Sequence, residues 1–134
     1  MKIRLLDFGG VAPMRAHAND AGADVCAPEA LTVKPGEPVV VPLGFGLALP
    51  DGYAGYIFPR SSLSARGLVC ELPPIDSGYR GQVHAILTNV GSEPYKIQKG
   101  DRIGQLVILP CLLPDFVTEE QEQRGQGAFG STGV

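Results

Sequence analysis

Glycine and proline recur along the whole chain, eighteen of the first and twelve of the second among 134 residues, and this punctuation constrains the fold more than any other feature. Proline removes a backbone donor and fixes φ, while glycine loosens the backbone, so no long helical period survives between the breaks. What remains is a series of short apolar runs of strand length. Strands are expected over residues 2–6, 24–27, 31–33, 38–42, 45–49, 53–58, 82–89, 95–98, 102–109 and 116–118, with turn chemistry at KPGE, PDG and QKGD between several of them. The only helix the pattern predicts is a short turn over 61–65, where a serine could act as cap. An all-β chain of this kind fits a sandwich or a jelly-roll β-barrel.

Length and a 44% hydrophobic content suit one domain with its own core. The barrel is expected over 1–117, followed by an acidic, glutamine-rich tether, TEEQEQ, and a glycine-rich arm, the two together covering 118–134. A net charge of −3 and a pI near 5.3 argue against a nucleic-acid binder or a membrane-surface binder, either of which needs a basic face. Cys26, Cys70 and Cys111 are odd in number and form no CxxC pair, so neither a zinc site nor a disulfide framework is expected, and a reducing cytoplasm is the simplest location, a host cell's if the source is viral. MKIRLLDFGG carries no long apolar segment, and neither a secretory signal nor a membrane span is expected.

Near the end of the chain GQGAFG has the spacing of a dinucleotide-binding turn. That fingerprint works only between a strand and a helix, and the four residues after Gly130 give no helix to hold a pyrophosphate, so this reading fails on context. Four other segments mix glycine with charged or hydroxyl side chains in apolar surroundings: NDAGADVCA (19–27), FPRSSLSARGL (58–68), PPIDSGYRG (73–81) and KGDRIGQLVI (99–108). PRSSLS gathers a guanidinium, hydroxyls and amides, a set that suits phosphate, although a capped turn with a surface arginine has the same composition. KGDRIGQLVI and AGADV taken singly fit ordinary turns. In PPIDSGYRG an acid, Asp76, and a ring, Tyr79, stand three apart, able to orient a water and to stack on a sugar, or to form an Asx-turn with a half-buried tyrosine. His17 and His84 have no partners at metal-ligand spacing, and a structural or solvent-facing role is expected of each.

These four segments and the tail RGQGAFGSTGV, in this order, resemble the five ordered motifs of the trimeric deoxyuridine triphosphatases, from about Ala21 to Gly133. The resemblance implies a jelly-roll barrel in a homotrimer, active sites shared between subunits, and Mg2+-assisted hydrolysis of dUTP to dUMP and pyrophosphate. That reaction limits uracil in DNA and supplies dUMP for thymidylate synthesis. By resemblance, Asp76 activates the attacking water and contacts the sugar 3′-hydroxyl, and Tyr79 packs under the deoxyribose. Arg60, Ser61, Ser62 and Gln105 hold the phosphates, and Asp24 lies near the metal and its waters. Cys70 and Ile75 fall in the hairpin that takes the base. In the arm, Arg124 reaches the γ-phosphate, Phe129 covers the uracil, and Gly130, Ser131 and Thr132 add donors. The chain departs from the family pattern at Cys70, Pro73, Pro74 and Gly78, and a proline has no amide to offer a base.

Two alternatives share the fold. A dCTP deaminase has a similar RSSL segment, but its glutamate would fall near Ile86, and QVHAILTN has no carboxylate for acid–base work. A regulatory barrel that binds a nucleotide or a partner protein is opposed by the presence of Asp76, Arg60 and the tail.

Overall fold

The computed structural model describes residues 1–124. Its strands are β1 (Arg4–Asp7), β2 (Ala23–Cys26), β3 (Leu31–Val33), β4 (Val39–Pro42), β5 (Phe45–Ala48), β6 (Tyr53–Phe58), β7 (Leu68–Cys70), β8 (His84–Asn89), β9 (Tyr95–Ile97) and β10 (Arg102–Pro110). Two short helices, α1 (Ser61–Ser64) and α2 (Glu119–Gln123), complete the described elements. The strands form four small antiparallel sheets, β1-β5, β2-β10-β6, β3-β9 and β4-β8-β7, in the jelly-roll-like manner expected of this punctuation. No described helix is long and apolar enough to cross a membrane.

β10 organises the part that matters for the site. It pairs with β2 along one edge and β6 along the other, and its burial is almost continuous from Ile103 to Val107. A bulge between Arg102 and Gly104 shifts the register against β2. Gly104 cannot carry a side chain there, since a Cβ would meet Ile57 Cγ2 at 2.9 Å and the Phe58 carbonyl at 3.1 Å. The core collects inward side chains from the sheets, with Val33, Leu47, Leu68, Val83, Leu87 and Ile103 nearly free of water. Each such side chain contributes about 1.5–3 kcal/mol by leaving water. The one buried polar residue described, Asn89 at 3% exposure, is fully used. Its Nδ2 donates to the carbonyls of Val33 and Glu93, and its Oδ1 accepts from the Gly91 amide, tying the end of β8 to β3 and the following loop.

Four expectations need correction. β7 was absent from the expected strands: LVC becomes a strand because β8 offers its free edge. Residues 116–118 form no strand. Phe116 is 92% exposed, and no described strand stands beside it to complete a ladder. The stretch expected to be a solvated tether contains α2, entered by a capping box in which Gln121 N donates to Thr118 Oγ1 (3.2 Å) and Thr118 N to Gln121 Oε1 (2.9 Å). Helix α1 stands where predicted, but its N-cap is Arg60 and no serine hydroxyl caps it. Strand ends shift by one or two residues elsewhere. At 82–83, for example, the chain leaves β4 for β5, with Val83 N bonded to Phe45 O and Val83 O accepting from Leu43 N.

Candidate functional site

The residues singled out from the sequence fall into two groups at different points along β6. The first group is assembled by the sheet β2-β10-β6, where Gln105 stands opposite Asp24 on one side and Phe58 on the other. Residues opposite one another in a ladder share a face, so this row brings the first, second and fourth segments together. Gln105 Nε2 donates to the Pro59 carbonyl at 3.0 Å, and its amide packs so closely over Gly22 that a Cβ there would lie 2.2 Å from Oε1. Gln105 therefore holds the chain immediately before Arg60. Arg102 Nη1 lies 3.5 Å from Asp24 Oδ2, and the Arg60 guanidinium makes a long bond of 3.4 Å to the Arg102 carbonyl. Ser61 and Ser62 are exposed at the start of α1 beside them. A cavity of about 160 Å³ lined by Arg60, Tyr95, Asp101 and Arg102 opens here, and Asp24 borders a neighbouring one with Arg102. Two guanidiniums border this cavity together with the Asp101 carboxylate, and the two hydroxyls stand at the start of α1 next to Arg60, a set of groups able to hold an anion.

The second group lies on the loop between β7 and β8. Ile75 is bonded both ways to Gly55 of β6, 2.7 and 3.0 Å, and this pins the loop against the sheet. Asp76 follows and starts a turn closed by Tyr79 N to Asp76 O at 3.1 Å. Ser77 Oγ donates to Asp51 Oδ1 at 2.9 Å, and Arg80 donates to the Ser77 carbonyl, so the turn is tied on both flanks. Tyr79 donates its phenol to the Gln82 carbonyl at 2.6 Å and lays its ring over Gly81, where a Cβ would meet the phenol oxygen at 2.5 Å. Only glycine fits under that ring. The tyrosine remains 42% exposed, leaving ring surface for a ligand. Asp76 and Tyr79 border a cavity of about 290 Å³ whose other lining residues include Val40, Glu71, Pro73, Pro74, His84 and Ile86.

Gly55, which carries the loop, and Phe58, which faces Gln105, are three residues apart on β6, about 10 Å at the rise of a strand. Within one chain Asp76 and Tyr79 thus line one cavity and Arg60 another.

Three further expectations are placed as follows. Cys70 ends β7 with its side chain in the core, its thiol 3.8 Å from the Ile103 carbonyl; burial first, and the Glu71 carboxylate second, push its pKa from 9.0 to about 11. The thiol packs in the core and Cys70 does not line the Asp76 cavity, so the structure does not place it where a substrate contact was expected. Arg124 is exposed at the end of α2, paired with Glu120 one turn earlier and joined to neither group. Phe129, Gly130, Ser131 and Thr132 lie outside the described residues.

Glu71 and His84 were not expected at a site. Glu71 reaches the cavity because Leu68 to Cys70 pair with β8, and His84 because alternate residues of β8 face outward. His84 gave one available signal, the polar position in an apolar alternation, but nothing in the sequence linked it to Asp76.

The family model described as dUTPase matches residues 10–133 of this chain. Among curated proteins, a deoxyuridine 5′-triphosphate nucleotidohydrolase of Leifsonia xyli is 45% identical over 128 residues, covering 90% of this chain and 84% of that protein. One of Tropheryma whipplei is 41% identical over 140 residues, covering 99% and 96%. Among solved structures, a substituted dUTPase of Staphylococcus bacteriophage 80alpha with dUpNHpp superposes with a TM-score of 0.83 at 28% identity, covering 99% of each chain. A mutant dUTPase of phage phi11 of S. aureus, described as coordinating a structural Mg(II) ion, superposes with a TM-score of 0.82 at 26% identity over 90% of this chain and 97% of that one.

Proposed function

This chain belongs to the dUTPase family, and from that premise we propose that it hydrolyses dUTP to dUMP and pyrophosphate at sites each built from more than one copy of the chain. The supporting observation is the separation just described: a carboxylate and a ring on one cavity, the Arg60 and Arg102 guanidiniums on another, with Ser61 and Ser62 following Arg60. Neither half can do the chemistry alone. A homotrimer unites them by setting the Asp76 cavity of one subunit against the Arg60 rim of another. The segment after β10, with Leu112 at 91% and Phe116 at 92% exposure, supplies apolar surface that favours such self-association.

In the joined site the deoxyribose rests on Tyr79. Asp76 takes the proton of a water, whose oxygen attacks the α-phosphorus as the bond to the bridging oxygen breaks and pyrophosphate leaves. Arg60 and the hydroxyls of Ser61 and Ser62 neutralise the phosphate chain, Ser61 at the developing charge, while Gln105 keeps their segment in place by its bond to Pro59. Arg124, Phe129, Gly130, Ser131 and Thr132, on the arm at 118–134, close over the nucleotide and exclude water.

Mg2+ fits this site only in one form. Among the described residues no three potential ligands come together, and Asp24 is a single half-buried carboxylate already facing Arg102. A hard ion held mainly by substrate phosphates and water, with Asp24 as an outer partner, suits that donor set. When bound, the ion offsets phosphate charge.

Pyrophosphate release from dUTP, compared with UTP and dTTP, tests the activity. Asp76→Asn removes the base and leaves the phosphate contacts, so turnover is expected to fall by about 10²–10⁴ with nucleotide binding retained. Unchanged turnover would overturn the role of Asp76.

A further inference from the structure

Asp76 stands between β7 and β8 on a stretch with no regular structure of its own, and among the described residues no side chain bonds its carboxylate. Its neighbours in the chain therefore decide where that carboxylate stands. On one side Ile75 exchanges two backbone bonds with Gly55 of β6, at 2.7 and 3.0 Å. On the other side Ser77 donates its hydroxyl to Asp51 Oδ1 at 2.9 Å, and its carbonyl accepts from the Arg80 guanidinium. Asp51 lies in the PDG turn that leads into β6, so both anchors of Asp76 stand on one continuous run of chain. That run is itself fixed. Gly52 takes φ +89°, a conformation that residues with a side chain rarely adopt, its carbonyl accepts from Cys111 N at 2.8 Å, and Tyr53 pairs with Pro110 of β10.

The two anchors differ in kind. The bonds of Ile75 are main-chain bonds that survive any side-chain change, whereas the bond of Ser77 depends on two side chains. Asp51 is exposed, so water competes for its hydroxyl partner and the bond adds little to stability. Position is another matter, because a shift of about 1 Å at a reacting group can lower a rate about a hundredfold. Resting on the function proposed above, we propose that Asp51 is a positioning residue of the reaction: through Ser77 it holds the Asp76 carboxylate where the attacking water must stand, without touching the substrate itself.

The experiment measures kcat and KM for dUTP with Mg2+, and thermal midpoints, in the full chain and in Asp51→Ala, Asp51→Asn, Ser77→Ala and the double variant Asp51→Ala/Ser77→Ala. Asp51→Ala is expected to lower kcat about tenfold, less than a full misplacement because Ile75 still holds, with KM and midpoint little changed. Asp51→Asn keeps an acceptor for the Ser77 hydroxyl and is expected to recover most of that loss. Ser77→Ala removes the same bond from its other end, so the double variant is expected to be no slower than the slower single one; it also serves alone if Asp51→Ala does not fold. Placed in Asp76→Asn, the Asp51→Ala change is expected to move the residual rate by less than about threefold, since no base remains to be held, whereas a general loosening of the fold slows both backgrounds alike. Four results overturn the inference and leave the proposed function standing: Asp51→Ala within about threefold of the native rate, Asp51→Asn as slow as Asp51→Ala, single losses that multiply in the double variant, or an equal loss in Asp76→Asn. No turnover of dUTP by the intact protein removes the function, and this role with it.

Discussion

Cys70 sits under a sheet and one residue before a carboxylate, and both neighbours act on its thiol in the same direction. Burial and the Glu71 charge favour the protonated form, raising the pKa from 9.0 to about 11. The folded chain therefore holds this proton more tightly than the unfolded chain. The resulting stabilisation is complete below pH 9 and is lost as pH rises through 11. Denaturant midpoints measured from pH 8 to 11 should fall more steeply in the native sequence than in Cys70→Ala, and parallel curves would contradict this. The same residue shows why the site was only partly legible. Asp76, Tyr79 and Arg60 are visible in the sequence because each is a polar group set beside turn residues in apolar surroundings. Cys70 was placed at the base because it stands where the resembled family carries an asparagine six residues before the aspartate, whereas the inward face of β7 decides where its thiol goes. Glu71 and His84 depend on the pairing of β7 with β8, contacts seventeen or more residues apart that no local pattern encodes.

At the level of elements, β8 carries the widest responsibility. It pairs with β4 and β7 at once, buries Ala85 and Leu87 on one face, and presents His84 and Ile86 to the cavity on the other. Leu87 stands opposite both Val39 and Cys70, so its side chain fills the layer between three strands. Leu87→Ala is expected to cost about 2–5 kcal/mol, read as a lower denaturant midpoint with an unchanged slope. A loss below 1 kcal/mol would mean that the layer collapses around the gap. Most strands were legible because glycine and proline mark their ends, and strands over four or more residues show apolar alternation. β7 was not, since LVC becomes a strand only against the edge of β8. Helix α2 had a readable signal in the T-x-x-Q capping box of Thr118 and Gln121, which the acidic composition of the stretch obscured. The strand expected at 116–118 does not form, for strand formation depends on a neighbouring edge as much as on its own sequence.

The whole molecule raises a question that neither residues nor elements answer alone, namely where Asp76 meets Arg60. β6 is a rigid spacer between them: Gly55 anchors the loop of Asp76, Phe58 leads into Arg60, and the strand holds them about 10 Å apart on separate cavities. If the proposed site unites Asp76 of one subunit with Arg60 of another, two inactive variants can repair each other. Asp76→Asn and Arg60→Ala are each expected to be nearly inactive as pure assemblies. Unfolded together in equal amounts and refolded, they form mixed trimers in which a site is intact whenever an Asp76-bearing subunit meets an Arg60-bearing neighbour. Random mixing makes about one site in four intact, so about a quarter of the native activity should return. Sites contained within single chains would restore none, because every chain in the mixture lacks one of the two groups. The size of the recovery therefore measures how many chains supply a site.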